Sequence, residues 1–338
     1  MSAASTGIDR GWRQFEAGNL GAARKHAEQE LHDDPENPEA LVLLAACERE
    51  AGEFAAALGL LARAAESAPE WREPELGRAE ILGQELDRPE EALAHATAAL
   101  DRAEEEDEFL DAIVLRAGLE IQLGKTKAAR ATLSELPPAE EVTLPADVSL
   151  DLAYLFLEAE LAGEAERRFQ LLADADAENA EAWYGLGLCA EERDDETAKR
   201  TAWLRTLALD ATAPLQNPHM TEADMAEVAE KALRELPEVA RRLIENVPIL
   251  IVDLPARDEV EHGLDPRLLG LFAGAAYSEA SSLGGAPQLT QILLFRKNLE
   301  RMAIDPEDLR EQIRITLLHE TGHFFGMSED DLADVGLD

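Results

Sequence analysis

Cysteine is almost missing from this chain: Cys47 and Cys189 are two in 338 residues, too few for a disulfide framework. Bases are also scarce, 31 Lys and Arg against 71 Asp and Glu, for a formal net charge of -40. Phosphate backbones and anionic lipid surfaces demand clustered Lys and Arg, so neither nucleic acid nor membrane is expected as a partner. Long apolar runs are absent too. The longest uncharged ones, 54–62 and 247–252, fall well short of the roughly 20 residues a membrane helix needs. The opening MSAASTGIDRGW lacks a basic region followed by an apolar stretch, so the expected location is cytoplasmic. Aromatics are only 5%, while Ala, Leu and Glu are abundant, which favours helix. With 46% hydrophobic and 30% charged residues, the chain has the balance of a folded protein rather than a disordered acidic tail. Its length suggests about two domains.

Its first two-thirds repeats. Gly18, Ala23 and Pro35 recur as Gly52, Ala57 and Pro69, each 34 residues on, and the same offset carries Ala27 onto Leu61. Gly124, Ala129 and Leu133 mark a fourth unit, Ala165 and Phe169 a fifth, and Trp183, Leu186 and Gly187 open a sixth. The third unit, around Ala79 and Ala92, needs one inserted residue near Arg88-Pro89. A 34-residue period with small residues at a helix crossing resembles the tetratricopeptide (TPR) repeat family over residues 4–213. Such units are helix pairs that bury their apolar faces only by stacking, and the groove so formed implies a protein or peptide partner. Residues 1–219 hold 47 acids and 20 bases, so a basic or apolar ligand is expected. Cys47 and Cys189 fall at equivalent places on the first helix of their units and are expected to be buried and unpaired.

The pattern changes after the Pro-punctuated stretch 211–218, and residues 214–220 are read as a linker. Thr221 with Asp224 reads as a helix cap ahead of the stripe Met225, Val228, Ala232 and Leu236. Strands are expected at 247–252, 268–272 and 289–295, with a Gly/Ser-rich loop at 281–285. Asp305-Pro306 opens a helix running to about Phe325, so 221–338 reads as a small α+β domain.

That helix carries His319-Glu320-Thr321-Gly322-His323. The i, i+4 spacing sets both imidazoles on one face, where each offers a nitrogen to the same ion, while Glu320 stands beside the ion and can accept a proton from water. With 15 residues after His323, the third ligand must come from the short tail or from upstream. Gly326 can turn the chain back, and Glu329, or its neighbour Asp330, follows. Two His and a carboxylate also suit a non-haem iron triad, but Glu320 beside the metal favours hydrolysis and zinc.

The pattern H-E-x-x-H-x-x-G-x-x-x-x-x-L, met by His319, Glu320, His323, Gly326 and Leu332, resembles the minimal zincin-like (MMP-like) metallopeptidases, small bacterial domains. The likeness extends upstream through 269–272, 278–279, 292–296 and 298–301. It implies that His319 and His323 are zinc ligands, that Glu320 is the general base and that an acidic tail residue, Glu329 in our reading, completes the site.

Four further expectations attach to this region. Tyr277 is a packing or loop residue that can also serve an oxyanion, and His262 is a solvated loop residue. Ile315, Leu318, Phe324 and Phe325 form the core face of the site helix. By analogy with other zincins, 289–295 is an exposed edge strand to which substrate adds. The whole is therefore read as an all-α TPR solenoid followed by a small α+β zincin-like domain. The expected function is a zinc metallopeptidase acting on a peptide or protein substrate that the repeats recruit; the alternative is a non-catalytic TPR scaffold with a metal-stabilised domain.

Overall fold

The computed structural model describes residues 7–141, 144–236, 238, 241, 244, 247–274, 291–325 and 327–328. The chain forms two compact units, Met1–Arg168 and Phe169–Asp338. The first is built of helices α1 (Gly7–Glu16), α2 (Leu20–Asp33), α3 (Pro38–Glu50), α4 (Phe54–Ser67), α5 (Glu73–Glu80), α6 (Pro89–Leu100), α7 (Glu106–Gln122), α8 (Thr126–Leu133) and α9 (Ala146–Glu158). Helix α10 (Ala162–Ala175) crosses into the second unit. Partners α1–α2, α3–α4, α5–α6 and α7–α8 pack as hairpins, and each hairpin packs on the next. Alanine makes this possible. Ala23, Ala27, Ala57, Ala64, Ala92, Ala96 and Ala129 are wholly buried where the axes meet, and short side chains let helices approach closely.

The turn inside each hairpin explains both the period and its irregularity. Gly18, Gly52 and Gly124 sit there at φ of 75°, 77° and 65°. Asp87, Glu160 and Asp194 take the same left-handed conformation at φ of 49°, 56° and 56°, without glycine. From Gly52 to Asp87 is 35 residues, one more than the first interval. The extra residue is absorbed not at Arg88-Pro89 but earlier, as a π turn at Ile81–Glu85 that continues α5 and is closed by Leu86 N–H donating to Ile81 O at 3.1 Å.

In the second unit α11 (Ala180–Glu192) and α12 (Glu196–Thr212) form a further hairpin, with Gly187 against Trp203 and Gly185 against Phe169. Cys47 on α3 and Cys189 on α11 are buried free thiols, and burial pushes the Cys47 thiol pKa up. Helix α13 (Glu222–Glu235) starts with the expected box: Asp224 N–H donates to Thr221 Oγ1, and Thr221 N–H to the Asp224 carboxylate. There follow β1 (Ile249–Val252), α14 (Arg257–Glu261), β2 (Gly270–Ala273), β3 (Gln291–Phe295), α15 (Arg296–Met302) and α16 (Pro306–Phe325).

The sheet order is β1-β3-β2, with β3 parallel to β1 and antiparallel to β2. This overturns the expectation of an edge strand at 289–295. Among the described residues the strand is central, and its run Ile292–Phe295 is apolar because it is buried. Ile292 and Leu294 of β3 join Met225, Ala229 and Ala232 of α13 and Leu309, Ile313 and Leu317 of α16 in one core.

Candidate functional site

Helix α16 is set by its first turn, where Asp305 Oδ1 accepts from Glu307 N–H at 2.7 Å and Asp308 N–H at 2.9 Å. Its core face is Leu309, Ile313, Thr316, Leu317, Glu320 and Thr321, all buried. The expected face is therefore displaced: Ile315 and Leu318 lie half-buried on its flanks, as does Phe325, while the Phe324 side chain lies outside the described set. The reason is phase. Leu309, Ile313 and Leu317 define a stripe at four-residue intervals, and Ile315 and Leu318 fall off it.

On the last two turns the half-buried imidazoles of His319 and His323 converge. Their Nε2 atoms are 2.9 Å apart and the rings meet edge to face, with centroids 4.6 Å apart. A tetrahedral ion at Zn–N distances of about 2.0–2.1 Å separates two such nitrogens by about 3.3 Å, so a few tenths of an ångström of ring motion admits one. Two imidazole nitrogens are donors of the kind that zinc takes.

Glu320 is 6% exposed and points at the sheet beside this pair. Its Oε2 accepts from Phe272 N–H at 2.6 Å. In the β2–β3 register, Phe295 N–H donates to Leu269 O, so Leu269, Leu271 and Ala273 turn their backbone groups to β3 while Phe272 turns its own outward, to Glu320. This approach depends on Gly270. A Cβ there would lie 2.6 Å from Thr316 Cγ2, 3.1 Å from Leu293 O and 3.2 Å from Glu320 Cγ. Sequence reasoning took Gly270 only as part of an apolar run, although a glycine inside a strand is itself a signal of close backbone approach.

A second group that the sequence did not disclose anchors the start of β2. Arg267 donates to Glu181 Oε2 at 2.5 Å and to Asp210 Oδ2 at 3.2 Å, and Arg301 pairs with Asp210 at 2.7 Å. Burial opposes the Arg267 charge, but the hydrogen bond and charge of Glu181, with Asp210, outweigh it and raise the pKa. Beside it, burial pushes the Asp265 carboxyl pKa up, against the Arg267 N–H bond and the Tyr184 hydroxyl at 2.9 Å. Asn298 Nδ2 donates to Pro266 O and Leu268 O at 2.9 and 2.8 Å, just ahead of the strand.

Glu329, Asp330, Gly326, Leu332, Tyr277 and the loop 281–285 lie outside the described residues. Among the described residues no three His, Cys, Asp or Glu side chains gather as a metal site. His262 is exposed, with Nδ1 2.6 Å from Asp258 O, as a solvated loop histidine should be. No described helix is long and apolar enough to cross a membrane.

Residues 244–337 match the family model of the zincin-like metallopeptidases, and residues 14–80 and 150–214 each match a tetratricopeptide repeat model. No curated protein matches the chain. Among solved structures it is similar to PilW, a type IV pilus biogenesis factor, at 17% identity over 62% of this chain and 94% of that one, with a TM-score of 0.48. It is also similar to YrrB, described as a TPR protein with an unusual peptide-binding site, at 15% identity over 55% and 93%, TM-score 0.47. A third is pilF of Pseudomonas aeruginosa, at 18% identity over 61% and 91%, TM-score 0.48.

Proposed function

We propose, for a chain that carries TPR repeats and a zincin-like metallopeptidase domain, that it is a zinc-dependent peptidase whose repeats recruit the substrate or a partner. The observation that supports this reading best is the convergence of the His319 and His323 Nε2 atoms with the Glu320 carboxylate on the adjoining face. His319 and His323 would hold the zinc, with Glu329 as the third ligand and Asp330 as its alternative. Zinc there supplies Lewis-acid polarisation of the scissile carbonyl.

The chain's own groups do the rest. Glu320 is kept oriented by the Phe272 N–H on one oxygen, and its carboxylate takes a proton from the attacking water and delivers it to the departing amine. Among the described residues β2, not β3, is the edge strand beside this carboxylate, so an extended substrate backbone runs along it. Capture by the repeats raises the local substrate concentration, which suits a small site.

The test is Glu320→Gln in the full chain, with zinc content and cleavage of a peptide library read side by side, with and without chelator. Retained zinc with cleavage reduced at least about a hundredfold is expected. His319→Ala, measured by metal analysis, should lose the zinc. Undiminished cleavage by Glu320→Gln overturns the mechanism, and bound zinc with no cleavage in the wild type leaves a metal-stabilised binding domain.

A further inference from the structure

Three successive first helices of the hairpins meet around a cavity of about 390 Å³, lined by the π turn after α5, by α7 and by α9. That volume is within the range of small-ligand clefts. Its walls are apolar, formed by Val114 and Leu115 of α7 and Leu155 of α9, all half-buried. Two carboxylates stand on it, the exposed Asp151 and Glu158, both on α9, and the lining contains no Lys, Arg or His. Arg49 reaches Gln84 from outside the lining and is held there by Glu80 and Glu85.

Two locally unfavourable features converge on this cavity. One is the π turn, which brings Gly83 and Gln84 to the lining at the place where the repeat carries its inserted residue. The other is Gly118, inside α7. Glycine in a helix interior is less stable than alanine, and packing does not require it here. A Cβ on Gly118 would meet only Leu155 Cδ2, at 3.8 Å, whereas one on Gly83 would press on Leu119 Cδ2 at 2.8 Å. What Gly118 preserves is empty space. At Gly118 a local cost without a packing return marks a site kept for a ligand.

We propose that this cavity receives one apolar side chain of a partner peptide whose neighbouring residue is Lys or Arg, the cation facing Asp151 and Glu158. The proposal rests on the reading that the repeats recruit a substrate or partner, and it names the chemistry recruited. The apolar side chain supplies affinity by leaving water, and the two exposed carboxylates supply selection and steering rather than strength. A second copy of this chain is a poor occupant, because it brings 71 acids against 31 bases.

The experiment is selection from a positional library of labelled octapeptides on the full chain, in the presence of chelator so that bound peptides stay intact. Peptides with Leu, Ile, Phe or Met next to Lys or Arg should be enriched. Gly118→Leu, which fills the cavity, should weaken the selected peptide about tenfold or more, while Asp151→Lys with Glu158→Lys should turn the basic preference into an acidic one. Circular dichroism melting shows whether each variant is folded, and Gly118→Ala serves as a milder filling should the leucine variant fail to fold. Enrichment of acidic peptides, or the same selection by filled and open cavities, overturns the proposal. Binding is read without cleavage, so an inactive wild type defeats the peptidase reading alone. Conversely, an active enzyme whose selection ignores Gly118 defeats the cavity alone.

Discussion

Gly118 in the repeats and Gly270 in β2 are used in opposite ways. A methyl group at Gly270 would strike Thr316, Leu293 and Glu320 at once, whereas at Gly118 it would touch a single leucine at ordinary distance. In the C-terminal region glycine removes a side chain so that two elements can close up and a carboxylate can reach a backbone N–H. At Gly118 it removes one so that nothing closes up. The first arrangement positions a reacting group to a fraction of an ångström; the second keeps room for a group the chain itself does not supply. The same residue therefore marks a site of precision in one region and of accommodation in the other.

Breaking the precise side should give the largest effects. Asp210→Ala removes the buried carboxylate shared by Arg267 and Arg301 and leaves two cations facing each other. A loss of about 3 kcal/mol, read by urea unfolding, is expected. Gly270→Ala should cost about 1–3 kcal/mol by overpacking and, by moving Glu320, lower cleavage about a hundredfold. Adding Thr316→Ser, which deletes the struck methyl, should restore part of both losses. If Gly270→Ala is as stable and active as the wild type, the contrast between the two glycines fails.

On the permissive side the effects are small and of opposite sign. Asp87→Gly relieves a left-handed residue at φ 49° but frees the unfolded chain, for a net gain of about 0.5 kcal/mol in thermal unfolding. Gly118→Ala should also stabilise, by about 0.4–1 kcal/mol, while leaving less room in the cavity. A destabilised Gly118→Ala would mean that packing does demand the glycine.

Features set inside one helix or one hairpin were readable from the chain. The His319, Glu320 and His323 constellation is fixed by helical spacing alone, and Thr221 and Asp224 by a single turn. The repeat was readable wherever its turn kept glycine, at Gly18, Gly52 and Gly124. It faded at Asp87, Glu160 and Asp194, because an acidic residue can hold a left-handed φ that composition does not announce. Strand order was misread because an apolar run such as Ile292–Phe295 has no alternation to say which face, or which edge, meets water. The Phe272 bond to Glu320 spans 48 residues and the Arg267 bond to Glu181 spans 86, separations for which no local pattern exists.

The stretch after α12 is constrained by hydrogen bonds. Lys297, in the first turn of α15, donates to the carbonyls of Asp210, Ala211 and Ala213, and Glu300 accepts from the amides of His219 and Met220. Both ends of that stretch are thus tied to one short helix, which itself begins at the residue after β3. A load applied to α12 is taken by these ties before the intervening chain can extend, and it arrives at the end of the central strand. The segment is held at both ends by hydrogen bonds to the same helix.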